Sequence, residues 1–136
     1  MVRRIYAVDT ENVLVVAALL QDAIIRISDI RHLPKSRQLV ITGARLDRSG
    51  KRPMRQNFLL RIFDVDRVRG RNFGEFKDAG YTVLLAMELG ADDRELWCRF
   101  AGGGDLCVSV TALRMQMSDH DQPWLAKALP SHEGTT

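Results

Sequence analysis

Three apolar alternations follow one another between Tyr81 and Val110, and they restrict the fold more than any other stretch. Tyr81, Val83, Leu85, Met87 and Leu89 come first, then Leu96, Cys98 and Phe100, then Leu106, Val108 and Val110. Side chains of a strand alternate between faces, so a period of two marks a sheet with one buried face. Gly90-Ala91-Asp92-Asp93 and Gly102-Gly103-Gly104-Asp105 separate the runs with turn-forming residues at hairpin length. The pattern predicts an antiparallel meander.

Parity predicts the register of the last hairpin. With Phe100 opposite Leu106, Cys98 faces Val108 and Leu96 faces Val110, and Gly102 to Gly104 form a three-residue loop. A two-residue loop would set Cys98 opposite Cys107 and turn Leu106 and Val108 onto the polar face, a slip that a half-buried sheet resists. The cysteines are therefore expected on opposite faces and unpaired, with Cys107 the more reactive. The alternation resumes one residue out of phase at Leu113, Met115 and Met117, which predicts a bulge or bend near Thr111 and Ala112.

A chain of 136 residues fits one domain. Residues 1–130 are expected to form it, with 131–136 a disordered tail. No apolar run approaches the ~20 residues of a membrane helix. Asp9 and Glu11 precede the apolar stretch at Val13 to Leu20, which argues against a signal peptide. Two non-pairing cysteines then point to a reducing cytoplasm. The net charge of +3 hides a segregation: Arg26 to Arg71 holds 13 Lys and Arg against 4 Asp and Glu, while the rest holds 7 against 13. Such asymmetry predicts an acidic partner for the middle section.

Along the chain, Ile5 to Val8 reads as a short strand. Asp9 or Thr10 offers an N-cap, and Val13, Val16, Ala17 and Leu20 form the apolar stripe of an amphipathic helix ending near Gln21 or Asp22. Leu14, Ala18 and Leu19 widen that stripe, which predicts a well-buried helix. A second strand is expected from Ala23 to about His32, then a turn at Leu33-Pro34-Lys35-Ser36 and a third strand from Gln38 to Leu46. Asp47 to Arg55 reads as a basic loop. The fourth strand carries Phe58, Leu60 and Ile62 and loses phase around Phe63 to Asp66. Gly70 to Gly80 is the longest connection, and Trp124, Leu125 and Leu129 are expected to dock a short C-terminal helix. Together these predict an α+β domain: a strongly bent antiparallel sheet or partial barrel of 6–7 strands, PH-like by analogy, with one N-terminal helix and a short C-terminal one.

Leu20-Gln21-Asp22-Ala23, the Leu33-Pro34 turn, Phe100-Ala101-Gly102-Gly103-Gly104, Ser118-Asp119 and Pro123-Trp124 resemble an alphaproteobacterial family of small proteins of unknown function. The resemblance spans about Ile5 to Leu129, while Gly50 to Arg55 and Gly70 to Gly80 match nothing in it. It implies a bacterial cytoplasmic protein and brings no catalytic residues.

The residue constellations favour binding over catalysis. His32, His120 and His132 lack metal-ligand spacing, and Asp119-His120-Asp121 reads as a solvated turn. No serine or cysteine has a legible base beside it, and the Gly102–Gly104 run opens no helix that would hold a phosphate. Asp64 and Asp66, near Arg61 and Arg67, suit an ion-pair lattice better than acid–base work. No enzyme, cofactor or metal is therefore expected. Arg67, Arg69 and Arg71 interleave with Gly70, Phe73, Gly74 and Phe76, the cations and rings that single-stranded nucleic acid binding uses. Glu75 and Asp78 oppose that use. The expectation is an interaction module that binds a protein partner or self-associates, and, as the alternative, a nucleic-acid-binding accessory protein. The candidate partner-binding residues are Arg45, Lys51, Arg52, Arg55, Arg67, Arg69, Arg71, Phe73 and Phe76.

Overall fold

The chain enters through a short strand, β1 (Arg4–Ala7), and turns at once into the helix α1 (Thr10–Leu20). Asp9 caps that helix, its carboxylate accepting from the Asn12 amide at 2.8 Å. Nine further strands follow: β2 (Ala23–Arg26), β3 (Ile30–Leu33), β4 (Gln38–Asp47), β5 (Met54–Ile62), β6 (Val65–Arg71), β7 (Tyr81–Leu89), β8 (Glu95–Phe100), β9 (Asp105–Val110) and β10 (Met115–Leu125). The computed structural model describes residues 3–71, 80–90 and 92–126.

All ten strands of the described residues join one sheet in the order β1-β10-β5-β4-β2-β7-β8-β9-β6, with β3 also paired to β4, and each of their pairings is antiparallel. The sheet is open, with β1 and β6 at its edges. This corrects the expected partial barrel of 6–7 strands. The stretch that read as a second strand is divided, and the phase loss around Phe63 to Asp66 is a break between two strands. A 3-10 turn at Ile27–Asp29 separates β2 from β3, and Asp64, at φ 56°, ends β5 and starts β6 beside a new neighbour, β9. The C-terminal helix is corrected as well. Trp124 and Leu125 lie in β10, paired with Arg55 and Met54, so their apolar side chains belong to a strand. Leu129 and the tail at 131–136 lie outside the described residues.

One buried cluster draws on α1 and on every strand but β3, with Phe58, Leu60, Leu84, Phe100, Met115 and Met117 among its largest side chains. The helix packs on β7, β1 and β4 through Val13, Val16 and Leu20. Its stripe is narrower than expected: Leu14 is 53% exposed, and Ala18 is exposed as well.

The last hairpin keeps the expected parity and loop length but not the register. Cys98 faces Leu106 and Leu96 faces Val108, so the apolar residues share a face. The Phe100 amide bonds to the Gly104 carbonyl at 2.8 Å, which moves the three-residue loop one position back, to Ala101-Gly102-Gly103. Gly102 and Gly103 adopt φ 88° and 94°, which glycine supplies without strain. The slip of two brings Arg99 opposite Asp105, with an ion pair at 3.2 Å. Strand β7 departs more. A register shift between Leu84 and Ala86 marks a bulge, so Thr82 and Leu84 are buried, then Met87, whereas Tyr81 and Leu85 are exposed.

Candidate functional site

Alternation along β2 sends Ala23 and Ile25 into the core and leaves Ile24 and Arg26 on the outer face, opposite Val83 and Tyr81 of β7. Gly43 of β4 lets β2 come close: a Cβ there would stand 2.6 Å from the Ile24 carbonyl oxygen. Strand β5 contributes Arg55 and Asn57, and β10 contributes His120 and Trp124, opposite Asn57 and Arg55 respectively. These residues line a groove of about 540 Å³, together with Asp29, Thr42, Ala44 and Phe58.

A bulge in β10 aims Trp124 at this groove. The pairing skips from His120–Asn57 to Trp124–Arg55, and Asp121 takes φ 66°. Gln56 clasps the bulge, its side-chain amide donating to the carbonyls of His120 at 2.8 Å and Asp121 at 3.1 Å. Across the groove, Arg26 Nη2 donates to the Tyr81 hydroxyl at 3.0 Å and its guanidinium lies 5.4 Å from the ring centre. That pair fixes the aromatic wall.

Arg55 sets the electrostatics. The residue is 6% exposed, and its Nη1 donates to the carbonyls of Asp22 at 3.2 Å and Ala44 at 3.3 Å. Among the described residues no carboxylate lies within ion-pair distance of it. Burial pushes its pKa below the ordinary arginine value, the Asp22 charge opposing and Arg48 adding to that shift. The group stays cationic, since arginine does not deprotonate in proteins.

The other expected binding residues divide. Arg45 is spent inside the protein on Asp119. Lys51 and Arg52 are exposed at the β4–β5 turn. Arg67, Arg69 and Arg71 share the outer face of the edge strand β6, with five strands between it and β5 in the sheet order. There Arg69 pairs with Glu95 at 3.2 Å, and Arg71 pairs with Asp105 at 2.7 Å. The guanidinium groups of Arg71 and Arg99 lie 5.6 and 4.8 Å from the centre of the Trp97 ring. Phe73 and Phe76, and most of the 70–80 connection, lie outside the described residues.

The acidic candidates sit in different settings. Asp64 is held by Arg114 at 3.1 Å, the hydrogen bond keeping its carboxyl below the usual range, while Asp66 is exposed. In the Asp119-His120-Asp121 run, Asp119 faces the interior and His120 faces the groove. Arg26, Asn57, Tyr81, His120 and Trp124 were not foreseen as a group. Pro123 beside an aromatic residue was the one local sign of a disturbed strand.

Among the described residues no helix is long and apolar enough to cross a membrane. No curated protein and no solved structure matches the chain. Residues 3–132 match a family described as a protein of unknown function, and the chain therefore belongs to that family, DUF2948.

Proposed function

We propose that this chain is a non-catalytic interaction module that recognises an acidic partner protein on the outer face of its sheet, centred on the groove around Arg55. The observation that carries this reading is a recessed guanidinium with no carboxylate within ion-pair distance among the described residues. Buried charges are ordinarily paired, so one left facing a groove suits an incoming anion. Arg26, Tyr81 and Trp124 around it belong to the residue types that dominate protein-binding hot spots. A reducing compartment, the bacterial cytoplasm, fits two cysteines that are both free.

Nucleic acid ranks second. Its support is the run of Arg67, Arg69 and Arg71 on an edge strand. Against it, Glu88, Glu95 and Asp105 pair with arginines on that side of the sheet, and guanidinium groups cover the Trp97 ring that a base would stack on.

Selection of a random peptide display library on the immobilised full chain is the test. The expected sequences carry Asp or Glu beside an apolar or aromatic residue, and Arg55→Met, folded with a native melting curve, loses them. Enrichment without acidic residues, or binders indifferent to Arg55→Met, would overturn the reading. Salt-sensitive binding of single-stranded DNA that depends on Arg67, Arg69 and Arg71 would favour the second.

A further inference from the structure

The geometry points to a carboxylate as the group that Arg55 holds, gripped side-on by the Nε–Nη2 edge of its guanidinium. This rests on the groove being the binding site and names the chemistry that site reads. Nη1 is committed to the carbonyls of Asp22 and Ala44, which anchors the guanidinium from one end. Nε and Nη2 have no hydrogen-bond partner among the described residues. Among the described residues no side-chain nitrogen sealed from solvent lacks one, so neither donor is sealed, in a residue that lines the groove. Two parallel N–H groups on one edge match the two oxygens of a carboxylate. The same chain uses that edge elsewhere: Arg45 holds Asp119 through Nε at 2.9 Å and Nη2 at 2.8 Å.

The surroundings select further. Trp124 stands directly across from Arg55 on the neighbouring strand, and Tyr81 forms part of the same lining, so the ligand has room for a flat or apolar body beside its acid group. A phosphate fits less well. Arg26, the second cation of the lining, is tied to the Tyr81 hydroxyl, and the Asp29 carboxylate on the same lining repels a dianion. An acidic side chain of a partner and a free small acid share the chemistry that remains.

Arginine Nε–Hε spectra of the ¹⁵N-labelled full chain test this, with the Arg55 signal identified by its loss in Arg55→Lys. The probes are benzoate, phenyl phosphate, acetyl-Trp-Glu-amide and acetyl-Trp-Gln-amide. Benzoate and the Glu peptide are expected to move the Arg55 Hε signal and saturate, while phenyl phosphate and the Gln peptide leave it in place. Arg55→Lys keeps the charge but lacks the fork, and is expected to weaken the Glu peptide about tenfold or more. Tighter binding of the Glu peptide than of benzoate assigns the acid to a polypeptide, and the reverse order assigns it to a free metabolite-sized acid. Equal response to phenyl phosphate would overturn the inference. So would carboxylates that shift the Trp124 indole signal without moving Arg55 Hε, an outcome that leaves the interaction-module reading standing. Display-selected peptides that perturb no groove residue would remove both.

Discussion

Arg45 and Asp119 lie 74 positions apart in the chain and meet inside it, with side chains 3% and 0% exposed. Asp119 does more than balance the charge. Its carboxylate accepts from the Arg3 amide at 3.2 Å, and its own amide donates to the Arg3 carbonyl at 2.8 Å. One aspartate thus ties β4, β10 and the approach to β1 together. The hydrogen bond to Asp119 raises the Arg45 pKa, and burial opposes it.

Removing one partner of such a pair strands the other without water. Asp119→Ala is expected to cost about 3–5 kcal/mol, and the double replacement Arg45→Met with Asp119→Leu considerably less. Urea unfolding of the three variants measures both. A single substitution costing under about 1 kcal/mol would mean that water reaches the pair.

The helix offers a two-sided comparison. Val16 is fully buried against the sheet, so Val16→Asp is expected to cost several kcal/mol, comparable with the whole stability of a small domain. Leu14, two residues earlier, faces solvent, and Leu14→Asp should stay within about 0.5 kcal/mol. Equal effects on the melting temperature would contradict the docking of α1.

Local features of this fold were readable and relational ones were not. A helix cap at Asp9 or Thr10, the β8–β9 loop length and the core face of β8 and β9 follow from short-range rules, and the structure has them, with Asp9 as the cap. Parity could not fix the register, because a slip of two keeps every side chain on its face. The Arg99–Asp105 pairing and the positive φ of Gly102 and Gly103 accompany the register found. Along β7 an unbroken alternation misled, since the bulge puts Thr82 and Leu84 inside and leaves Tyr81 out. The groove was invisible for a related reason. Its lining comes from five strands, of which only β4 and β5 are consecutive, and a buried arginine looks like a surface one in sequence. The basic section misled similarly, because the carboxylates that neutralise Arg45, Arg69 and Arg71 sit far along the chain at Asp119, Glu95 and Asp105.

The two thiols are expected to react slowly, and for different reasons. Cys98 lies in the core, where burial pushes its pKa up to about 12. Cys107 is on the other face, as its pairing with Trp97 requires, yet it is only 1% exposed. Arg69 covers it, Nη2 donating to Sγ at 3.3 Å. That cover removes the accessibility on which the expected faster reaction of Cys107 rested. Arg69→Ala should speed labelling of Cys107 by a thiol reagent while Cys98 stays slow. Unchanged labelling in Arg69→Ala would show that the arginine is not the shield.

Acid should unfold this protein through a small set of carboxylates. Asp47, Asp64 and Asp105 all have pKa values lowered from 3.8, by hydrogen bonds from Ser49, from Arg114, and from Arg71 with Arg99 respectively. A carboxyl depressed in the folded state contributes stability above its unfolded pKa and loses it as pH falls through the folded one. Stability is thus expected to hold from neutral pH down to about pH 5, then decline through and below the ordinary carboxyl range. Asp105 is the informative position, because it accepts from Arg71 at 2.7 Å and stands 3.2 Å from Arg99. Asp105→Asn should lower the melting temperature most at neutral pH and progressively less as pH falls below the ordinary carboxyl range and the native carboxyl loses its charge. Melting curves of the two proteins from pH 2 to 7 are expected to converge toward acid. Curves that stay parallel would mean that Asp105 keeps the same pKa folded and unfolded, and that its arginine pairs add nothing to acid stability.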